Sequence, residues 1–170
     1  MKVCIITGTR ADYGPVKTVF DELKARHGIE LQIIVTGAHL SKKFGLTYKE
    51  IEKDGFKINA KIPILSDADS ASATVKAMGK ELSALSDTLT KLKPDLVCLT
   101  GDRYEMLVAA SACLILRIPV AHLYGGDVTE GAFDDSIRHA ITKLSCLHFT
   151  SNEDSRRRVI QMGEEPSRVY

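Results

Sequence analysis

Short apolar runs alternate along the chain with longer segments in which apolar residues recur at helical spacing. The runs are rich in β-branched residues and predict strands. These predicted strands cover residues 3–7, 31–35, 58–64, 96–99, 119–123 and 148–150. The predicted helices cover residues 16–23, 40–54 with a break at Gly45, 70–92, 104–116, a segment that starts near 134, and 153–162.

This alternation predicts an α/β domain with a doubly wound, mainly parallel sheet, because parallel strands need right-handed crossover connections. The strands are almost continuously apolar, which is typical of a sheet covered by helices on both faces. With 170 residues, the chain is large enough for one domain with its own core. Residues 163–166 predict a turn and residues 167–170 the approach to a further strand, so we expect the chain to stop at a domain boundary.

Composition and charge exclude several classes of protein. Hydrophobic residues make up 44% of the chain and charged residues 26%, which is typical of a globular domain and not of a disordered one. The formal net charge is only +1, and the single basic run, residues 156–158, is typical of a solvated helix face. We therefore expect no nucleic-acid partner and no membrane partner. The longest apolar run, residues 106–116, is closed by Arg117 and Pro119 and is too short to span a bilayer.

Cysteine usage indicates a reducing compartment. Cys4, Cys98, Cys113 and Cys146 are far apart and lack metal-ligand spacing, so they predict buried free thiols and no metal site. The first apolar run, residues 3–6, is too short for the core of a signal peptide. We therefore expect a cytoplasmic protein.

The first predicted strand ends in a turn that contains Gly8 and Gly14 and is followed by Pro15, which fits a first helical turn. Such a turn lets backbone N–H groups approach a phosphate at the N-terminus of the next helix. The dinucleotide fingerprint needs a third glycine, and no phosphate-loop Gly-Lys-Ser/Thr motif exists, so we expect no nicotinamide cofactor. Arg10 and Asp12 form either a local salt bridge or part of a ligand site.

Polar side chains also follow two other predicted strands. His39 comes just after the second strand and is either a contact to a sugar or phosphate or a satisfied loop residue. The fourth strand ends in Gly101-Asp102-Arg103. Asp102 is either the N-cap of the next helix or a carboxylate that acts as base or acid beside an arginine that holds an anion.

The fifth predicted strand leads into His122-Leu123-Tyr124-Gly125-Gly126-Asp127, where the glycine pair predicts a sharp turn or a close approach to a ligand. Asp134 and Asp135 then begin a helix, with Arg138 and His139 one turn further on. A cap at Asp134 explains one of the two aspartates but leaves His139 unexplained. Because the carboxyl ends of parallel strands share one sheet edge, these clusters together predict an active site.

Three motifs in this order resemble the hydrolysing UDP-N-acetylglucosamine 2-epimerases. They are Gly8-Thr9-Arg10-Ala11-Asp12-Tyr13, Gly101-Asp102-Arg103 and Asp134-Asp135-Ser136-Ile137-Arg138-His139-Ala140-Ile141-Thr142-Lys143. That family has two Rossmann-like domains in a GT-B-type fold, with the nucleotide sugar between them. The resemblance implies that residues 1–170 are the N-terminal Rossmann-like domain, and that the C-terminal nucleotide-binding domain is absent from this chain.

The resemblance also implies a reaction, in which UDP-N-acetylglucosamine and water give N-acetylmannosamine and UDP. UDP is eliminated to leave a 2-acetamidoglucal, and water then adds with inversion at C2. By motif, Asp102 is a catalytic acid/base and Asp134 is a second carboxylate at the sugar. The implied contacts to UDP or substrate are Arg10, Asp12, Gly14, His39, Arg103 and Tyr124.

One position departs from the family pattern. Many members have a glutamate that is assigned to catalysis immediately before the Gly-Gly pair, whereas this chain has Tyr124. A phenol with a pKa of about 10 is a poor base at neutral pH. Either Asp127 or Glu130 takes over this catalytic role, or the chain acts on a related sugar, such as the UDP-2,4-diacetamido-trideoxyhexose of legionaminic-type sialic acid synthesis.

The rival from another class is a non-catalytic module that binds a nucleotide sugar. In either case the implied partner is a UDP-sugar, and we expect a homo-oligomer with no cofactor and no metal. We expect the 170-residue chain alone to be inactive, because half of the cleft that orients the sugar is missing.

Overall fold

Six strands and six helices alternate through the part of the chain that the structure, a computed structural model, describes: residues 1–66, 68, 70–129 and 133–170. The strands are β1 (Lys2–Thr7), β2 (Glu30–Thr36), β3 (Ala60–Ile62), β4 (Leu96–Thr100), β5 (Val120–Leu123) and β6 (Leu147–Phe149). The helices are α1 (Arg10–Ala25), α2 (Tyr48–Lys53), α3 (Ala71–Leu92), α4 (Tyr104–Leu116), α5 (Asp134–Lys143) and α6 (Glu153–Gln161). Short 3-10 turns cover Gly37–Leu40, Lys42–Phe44 and Pro166–Arg168.

The strands form one sheet in the order β3-β2-β1-β4-β5-β6, and every neighbouring pair is parallel. The predicted doubly wound, parallel sheet is therefore confirmed. The chain runs outward from β1 to β3, crosses back to β4, and then runs outward in the other direction. This reversal between β1 and β4 opens a crevice at the carboxyl edge of the sheet, which is where ligands bind in such folds.

Each face of the sheet has its own core, and β1 contributes to both. Cys4 and Ile6 pack on the side of α3 and α4, whereas Val3 and Ile5 pack on the side of α1 with Phe20. All five side chains are at most 2% exposed. Burial on both faces explains why the strands are apolar at almost every position, instead of alternating with polar residues.

Helix α1 begins earlier than the sequence pattern indicates. Thr9 is its N-cap, and its side chain forms a capping box with Asp12. The turn after β1 is therefore limited to Gly8 and Thr9, and the predicted longer glycine turn is wrong. Gly14 and Pro15 lie inside the helix, so the prediction that Pro15 fits a first helical turn is wrong. Pro15 has no N–H to donate to the carbonyl one turn earlier.

The segment after β2 differs most from its prediction. In place of one interrupted helix, it contains two 3-10 turns followed by the short helix α2, with the predicted break at Gly45 confirmed. The weakly predicted strand at 58–64 shrinks to Ala60–Ile62 at the sheet edge. The predicted approach to a further strand is present as one parallel bridge between His148 and Val169.

The cysteines are free, and three of them, Cys4, Cys98 and Cys113, are buried, as the sequence predicts. Within the described residues, no helix is both long enough and apolar enough to cross a bilayer. The same residues contain no cluster of histidine, cysteine, aspartate and glutamate that could hold a metal ion.

Candidate active site

An open cavity of about 640 Å³ lies at the carboxyl ends of the strands, beside the first turns of α1, α3 and α4. This volume is within the range of roughly 300–1,000 Å³ that is usual for small-molecule sites. The lining residues are Thr9, Arg10, Ala11, Ala38, Ser41, Lys43, Phe44, Thr47, Leu65, Ser66, Ala68, Ala73, Thr74, Ala77, Arg103 and Tyr104. They include three cationic side chains, which makes the cavity suited to an anionic ligand.

The N-terminus of α1 forms one wall of the cavity. Asp12 accepts hydrogen bonds from the N–H groups of Gly8 (3.3 Å) and Thr9 (3.0 Å), and Thr9 Oγ1 accepts one from the N–H of Asp12 (3.2 Å). These bonds leave the N–H groups of Arg10 and Ala11 outside the capping box, and both residues line the cavity. They are positioned to bind an anion at the positive end of the helix dipole.

Asp12 and Arg10 do not form the local salt bridge that was one of their two interpretations. Arg10 is largely exposed and pairs with Glu50 at 3.1 Å. Asp12 is buried, and this burial raises its pKa to about 6 against the opposing effect of Arg103. Asp12 therefore shapes the turn, while Arg10 remains accessible from the cavity.

Arg103 forms a second wall of the cavity. It is far from the first turn of α1 in the sequence but close to it in space. Its Nε and Nη2 donate to the two carboxylate oxygens of Glu105, both at 3.2 Å. Glu105 is fully buried, whereas the Arg103 side chain is 42% exposed. Burial on its own would lower the pKa of Arg103, but the Glu105 carboxylate outweighs that effect and raises it. Arg103 is therefore a permanent cation held at the cavity.

Asp102 is not the N-cap of α4, because Arg103 occupies that position and no side chain caps the helix. Asp102 forms an ion pair with Arg138 of α5, whose side chain is 8% exposed and whose guanidinium also donates to Thr129 Oγ1 at 2.8 Å. The Asp102 side chain itself is 24% exposed. The carboxylate is therefore oriented by a buried arginine and still reachable from solvent, which is the arrangement that acid or base chemistry requires.

The start of α5 brings Asp135 next to this pair, and Asp134 does not cap the helix, although capping was one interpretation of it. Phe133 is at the N-cap, and no side chain caps the helix. Asp135 makes the local contacts: it accepts from the N–H of Thr129 at 3.4 Å and lies 3.8 Å from Arg138 and 3.4 Å from His139. Asp134 is the first residue of α5 and half-buried, so its role at the sugar stays a prediction.

Asp127 is directed to α6. Its carboxylate accepts hydrogen bonds from the hydroxyls of Ser151 and Ser155, the second at 2.6 Å. The preceding Gly126 packs so tightly that a Cβ there would lie 2.3 Å from the carbonyl oxygen of Ser155. These contacts anchor the loop to the helix, and a catalytic role for Asp127 stays a prediction. The other candidate, Glu130, lies outside the described residues.

Tyr124 adopts a strained backbone conformation, with φ of 64°. A non-glycine residue in this left-handed region costs of the order of 1–3 kcal/mol and often marks a functional site. Its N–H donates to the carbonyl of Phe149 at 2.8 Å, which fixes the end of β5 against β6. The side chain is half-buried among apolar neighbours. The sequence identified this position from a family motif but gave no sign of its backbone strain.

His39 is a fully buried and satisfied histidine. Its Nε2 lies 3.0 Å from Thr7 Oγ1 and its Nδ1 lies 2.8 Å from Thr47 Oγ1. Burial lowers its pKa to about 4, so the ring is neutral at pH 7. The structure favours the second of its two interpretations, since both nitrogens brace the turn after β2, and the predicted ligand contact has no direct support.

His122 is a site residue to which the sequence assigned no role. It is fully buried, and its Nε2 donates to the carbonyl of Gly101 at 2.8 Å, while Nδ1 lies 3.1 Å from Thr142 Oγ1. Burial lowers its pKa to about 4, so it is neutral. Through these bonds β5 and α5 fix the turn that presents Asp102. A histidine inside an apolar strand was the only signal for it.

The predicted residues thus fall into two adjacent groups at the carboxyl edge. Arg10 and Arg103 line the cavity, and Asp102 lies next in the chain to Arg103, paired with α5. Gly14 is not part of the turn, and no atom outside its own helix and neighbours lies within 4 Å of a Cβ built there. Sequence reasoning missed Glu105, and it named Arg138 without its partner Asp102.

The sheet order and the crevice between β1 and β4 define a Rossmann-like domain, with a cationic cavity at the start of α1. Residues 21–170 match the family model described as UDP-N-acetylglucosamine 2-epimerase. The chain belongs to this family, as its motifs predict.

Two curated relatives and one solved structure illustrate the similarity. The chain is 52% identical to the GDP/UDP-N,N'-diacetylbacillosamine 2-epimerase (hydrolyzing) of Campylobacter jejuni, over 99% of this chain and 44% of the relative. It is 43% identical to the UDP-N,N'-diacetylbacillosamine 2-epimerase (hydrolyzing) of Legionella pneumophila, over 99% and 45%. The UDP-GlcNAc 2-epimerase of Methanocaldococcus jannaschii, solved with UDP-GlcNAc and UDP, superposes with a TM-score of 0.87 at 25% identity, over 100% of this chain and 46% of that one.

The chain spans about half the length of the curated relatives it matches, and it corresponds to their N-terminal half. The predicted fold class, the N-terminal half of a GT-B-type fold, is confirmed by these structural neighbours. In open α/β sheets of this kind, ligands bind at the carboxyl ends of the strands. The cavity and Asp102 lie at that edge.

Proposed function

We propose that this chain is the catalytic N-terminal domain of a hydrolysing UDP-sugar 2-epimerase, which converts a UDP-N-acetylhexosamine and water into the C2-epimeric free sugar and UDP. The observation that carries the proposal is the pairing of Asp102 with the buried Arg138 beside a cationic cavity. Family membership and the names of the relatives support the same activity.

The cavity supplies what departure of UDP requires. Elimination develops negative charge on the leaving diphosphate, and preorganised donors stabilise that charge. Arg10, Lys43 and Arg103 are cationic, and the N–H groups at the start of α1 add a helix dipole. These residues would hold the diphosphate from the side of the N-terminal domain.

Asp102 is the group best placed to move protons. A C2 hydrogen is only weakly acidic, so its removal has to be concerted with loss of UDP and needs an oriented base. The Arg138 guanidinium holds the Asp102 carboxylate, and the His122–Gly101 hydrogen bond fixes the turn that carries it. The partial exposure of the carboxylate leaves one side for the sugar. We also propose that Asp134 contacts the same sugar, and that Asp127, three residues after Tyr124, takes over the role of the family's glutamate.

Substitution of the carboxylate tests the proposal. In the whole protein, we expect Asp102→Asn to lower kcat on the order of a hundredfold to ten-thousandfold, because the amide cannot accept a proton, while the circular dichroism spectrum is unchanged. UDP release from the UDP-sugar is the measurement. Near-normal turnover would reduce Asp102 to a partner of Arg138.

A matched control exists at the other end of β4. Asp95 precedes β4 at the opposite edge of the sheet, where it accepts a hydrogen bond from the N–H of Lys2 at 2.6 Å. Asp95→Asn makes the same chemical change far from the cavity, and we expect turnover to be retained. A non-catalytic nucleotide-sugar-binding module would predict UDP-sugar binding without release of UDP by the unmodified protein.

The second candidate concerns the sugar. The relatives at 52% and 43% identity are named for N,N'-diacetylbacillosamine, which favours a 2,4-diacetamido-trideoxyhexose over N-acetylglucosamine. A comparison of kcat/KM for the two UDP-sugars separates these substrates. Release of UDP from neither would contradict the proposed activity. The homo-oligomer and the cytoplasmic location expected from the sequence stay predictions.

A further inference from the structure

Glu105 is a buried carboxylate at the cavity wall whose charge no step of the proposed reaction uses. It lies in the first turn of α4 with a side chain that is 0% exposed. Its two oxygens accept from two different nitrogens of Arg103, Nε to Oε2 and Nη2 to Oε1, both at 3.2 Å. Such a two-point contact fixes the plane of a guanidinium and not only its position.

The surrounding backbone is shaped to admit this carboxylate. At Gly37, just after β2, φ is +54° and a Cβ would lie 2.7 Å from Oε1 of Glu105. At Gly8, just after β1, a Cβ would lie 3.6 Å from the Glu105 carboxyl carbon. The carboxylate is therefore packed against the turns that follow β1 and β2, and this packing sets its rotamer.

Arg103 has capacity left after this contact. The pair uses Nε and one hydrogen of Nη2, so both hydrogens of Nη1 and one of Nη2 remain for a ligand. The side chain is 42% exposed and lines the cavity together with Arg10 and Lys43. Those two cations have exposed side chains, whereas Arg103 is the one that a buried partner orients.

We propose that Glu105 is a positioning residue, which holds the Arg103 guanidinium in the orientation that binds the diphosphate of the ligand. The inference rests on the proposed function for the identity of that ligand, a UDP-sugar. Its physical basis is that a preoriented donor does not lose rotamer freedom when the anion arrives. The alternative is that Arg103 only neutralises a buried carboxylate.

The two readings predict opposite signs for one substitution. Glu105→Gln removes a negative charge next to the cavity, so electrostatics alone would tighten the binding of UDP. If Glu105 orients Arg103, the same substitution weakens the affinity for UDP by about tenfold and leaves the affinity for uridine, which lacks the diphosphate, nearly unchanged. Titration of the whole protein with UDP and with uridine at pH 7 gives both affinities.

A double substitution shows whether the effect passes through Arg103. Arg103→Gln alone is expected to weaken UDP binding, and Glu105→Gln added to it should weaken UDP binding no further. Equal losses for UDP and uridine, additive losses in the double variant, or tighter UDP binding would each overturn the proposal. If Glu105→Gln does not fold, Glu105→Asp keeps the charge but shortens its reach, and the same selective loss for UDP is expected.

Glu81→Gln is the control for the replacement of a buried glutamate by glutamine. Glu81 is also a fully buried glutamate, on the neighbouring helix α3, but it does not bond Arg103. We expect this variant to bind UDP and uridine as the unmodified protein does. This experiment measures binding and needs no turnover. UDP binding that depends on Arg103 but is not followed by hydrolysis of a UDP-sugar would contradict the proposed activity and still support the positioning role. Arg103→Gln with unchanged UDP affinity would sink the positioning role alone.

Discussion

Glu81 shows how strongly burial changes the chemistry of one side chain. It is 0% exposed, and neither of its oxygens has a hydrogen-bond partner among the described residues. The hydroxyl of Thr36 donates to the carbonyl of Ile62 at 3.0 Å and not to Glu81. Burial, followed by the charge of Glu105, raises the pKa of Glu81 to about 8. The group is therefore mostly protonated at pH 7. We predict that Glu81→Gln stabilises the protein at alkaline pH. Between the ordinary pKa of a glutamate and about 8, the folded protein holds a proton that the unfolded chain has lost, so stability falls by up to about 1.4 kcal/mol per pH unit as the pH rises. Glutamine mimics the protonated form and does not pay this ionisation cost. Denaturant unfolding should show equal stability for the two proteins at pH 5 and a more stable variant at pH 9. Glu52→Gln is the control, since Glu52 is exposed and pairs with Lys61 at 2.7 Å; a pH-independent difference for Glu81→Gln would contradict the prediction. At this scale the sequence was least informative. It offered capping as one interpretation of Asp102, whereas the structure pairs Asp102 with Arg138, 36 positions away. Local spacing cannot reveal such a partner, because only the tertiary fold brings β4 and α5 together.

The start of α1 is the element that departs most from its predicted role at the site. Gly14 was expected to contact the nucleotide, but it lies within the helix in open surroundings. We predict that Gly14→Ala stabilises the protein by about 0.5–1 kcal/mol, because alanine restricts the unfolded chain and favours the helix. Thermal or denaturant unfolding measures this gain, and a destabilised variant would refute it. Gly79→Ala is the matched control, since Gly79 also lies within a helix, α3, with nothing within 4 Å of a Cβ. Both variants should gain similar stability. A loss of UDP affinity in Gly14→Ala alone would restore the predicted nucleotide contact. The other elements were predicted well wherever the hydrophobic pattern was strong. Helix α4 has the predicted bounds, Tyr104–Leu116, and α3 starts one residue after its N-cap, Ser70. The segment 40–54 was predicted poorly, because 3-10 turns leave only a weak periodic signal.

At the scale of the whole molecule, we propose that the cavity is one wall of a cleft, because the relatives are more than twice as long as the part that this chain matches. We therefore expect the 170-residue chain on its own to release no UDP from either UDP-sugar above background, because nothing opposite the cavity orients the sugar or excludes water. A coupled assay for UDP, with the whole protein as the positive control, decides this, and steady turnover by the isolated chain would contradict it. The fold could be predicted from the sequence, because the alternation of apolar runs and periodic segments leaves few topologies. The edge that carries the site followed from the same rule. The side-chain partners could not be predicted. The contacts of Arg103 with Glu105 and of His122 with Gly101 depend on tertiary packing, which no local pattern encodes.

The strand order also governs when the ligand site can exist as the polypeptide leaves the ribosome. Lys2 and Asp95, which join β1 to the start of β4, are 93 positions apart. Until β4 emerges, β1 lacks a neighbouring strand on one side, and the cavity that Arg10 lines lacks Arg103. The entropic cost of closing so long a loop grows only slowly with its length, but non-local contacts of this kind form slowly. The cavity is therefore complete only after the strand pairing with the largest sequence separation has been made.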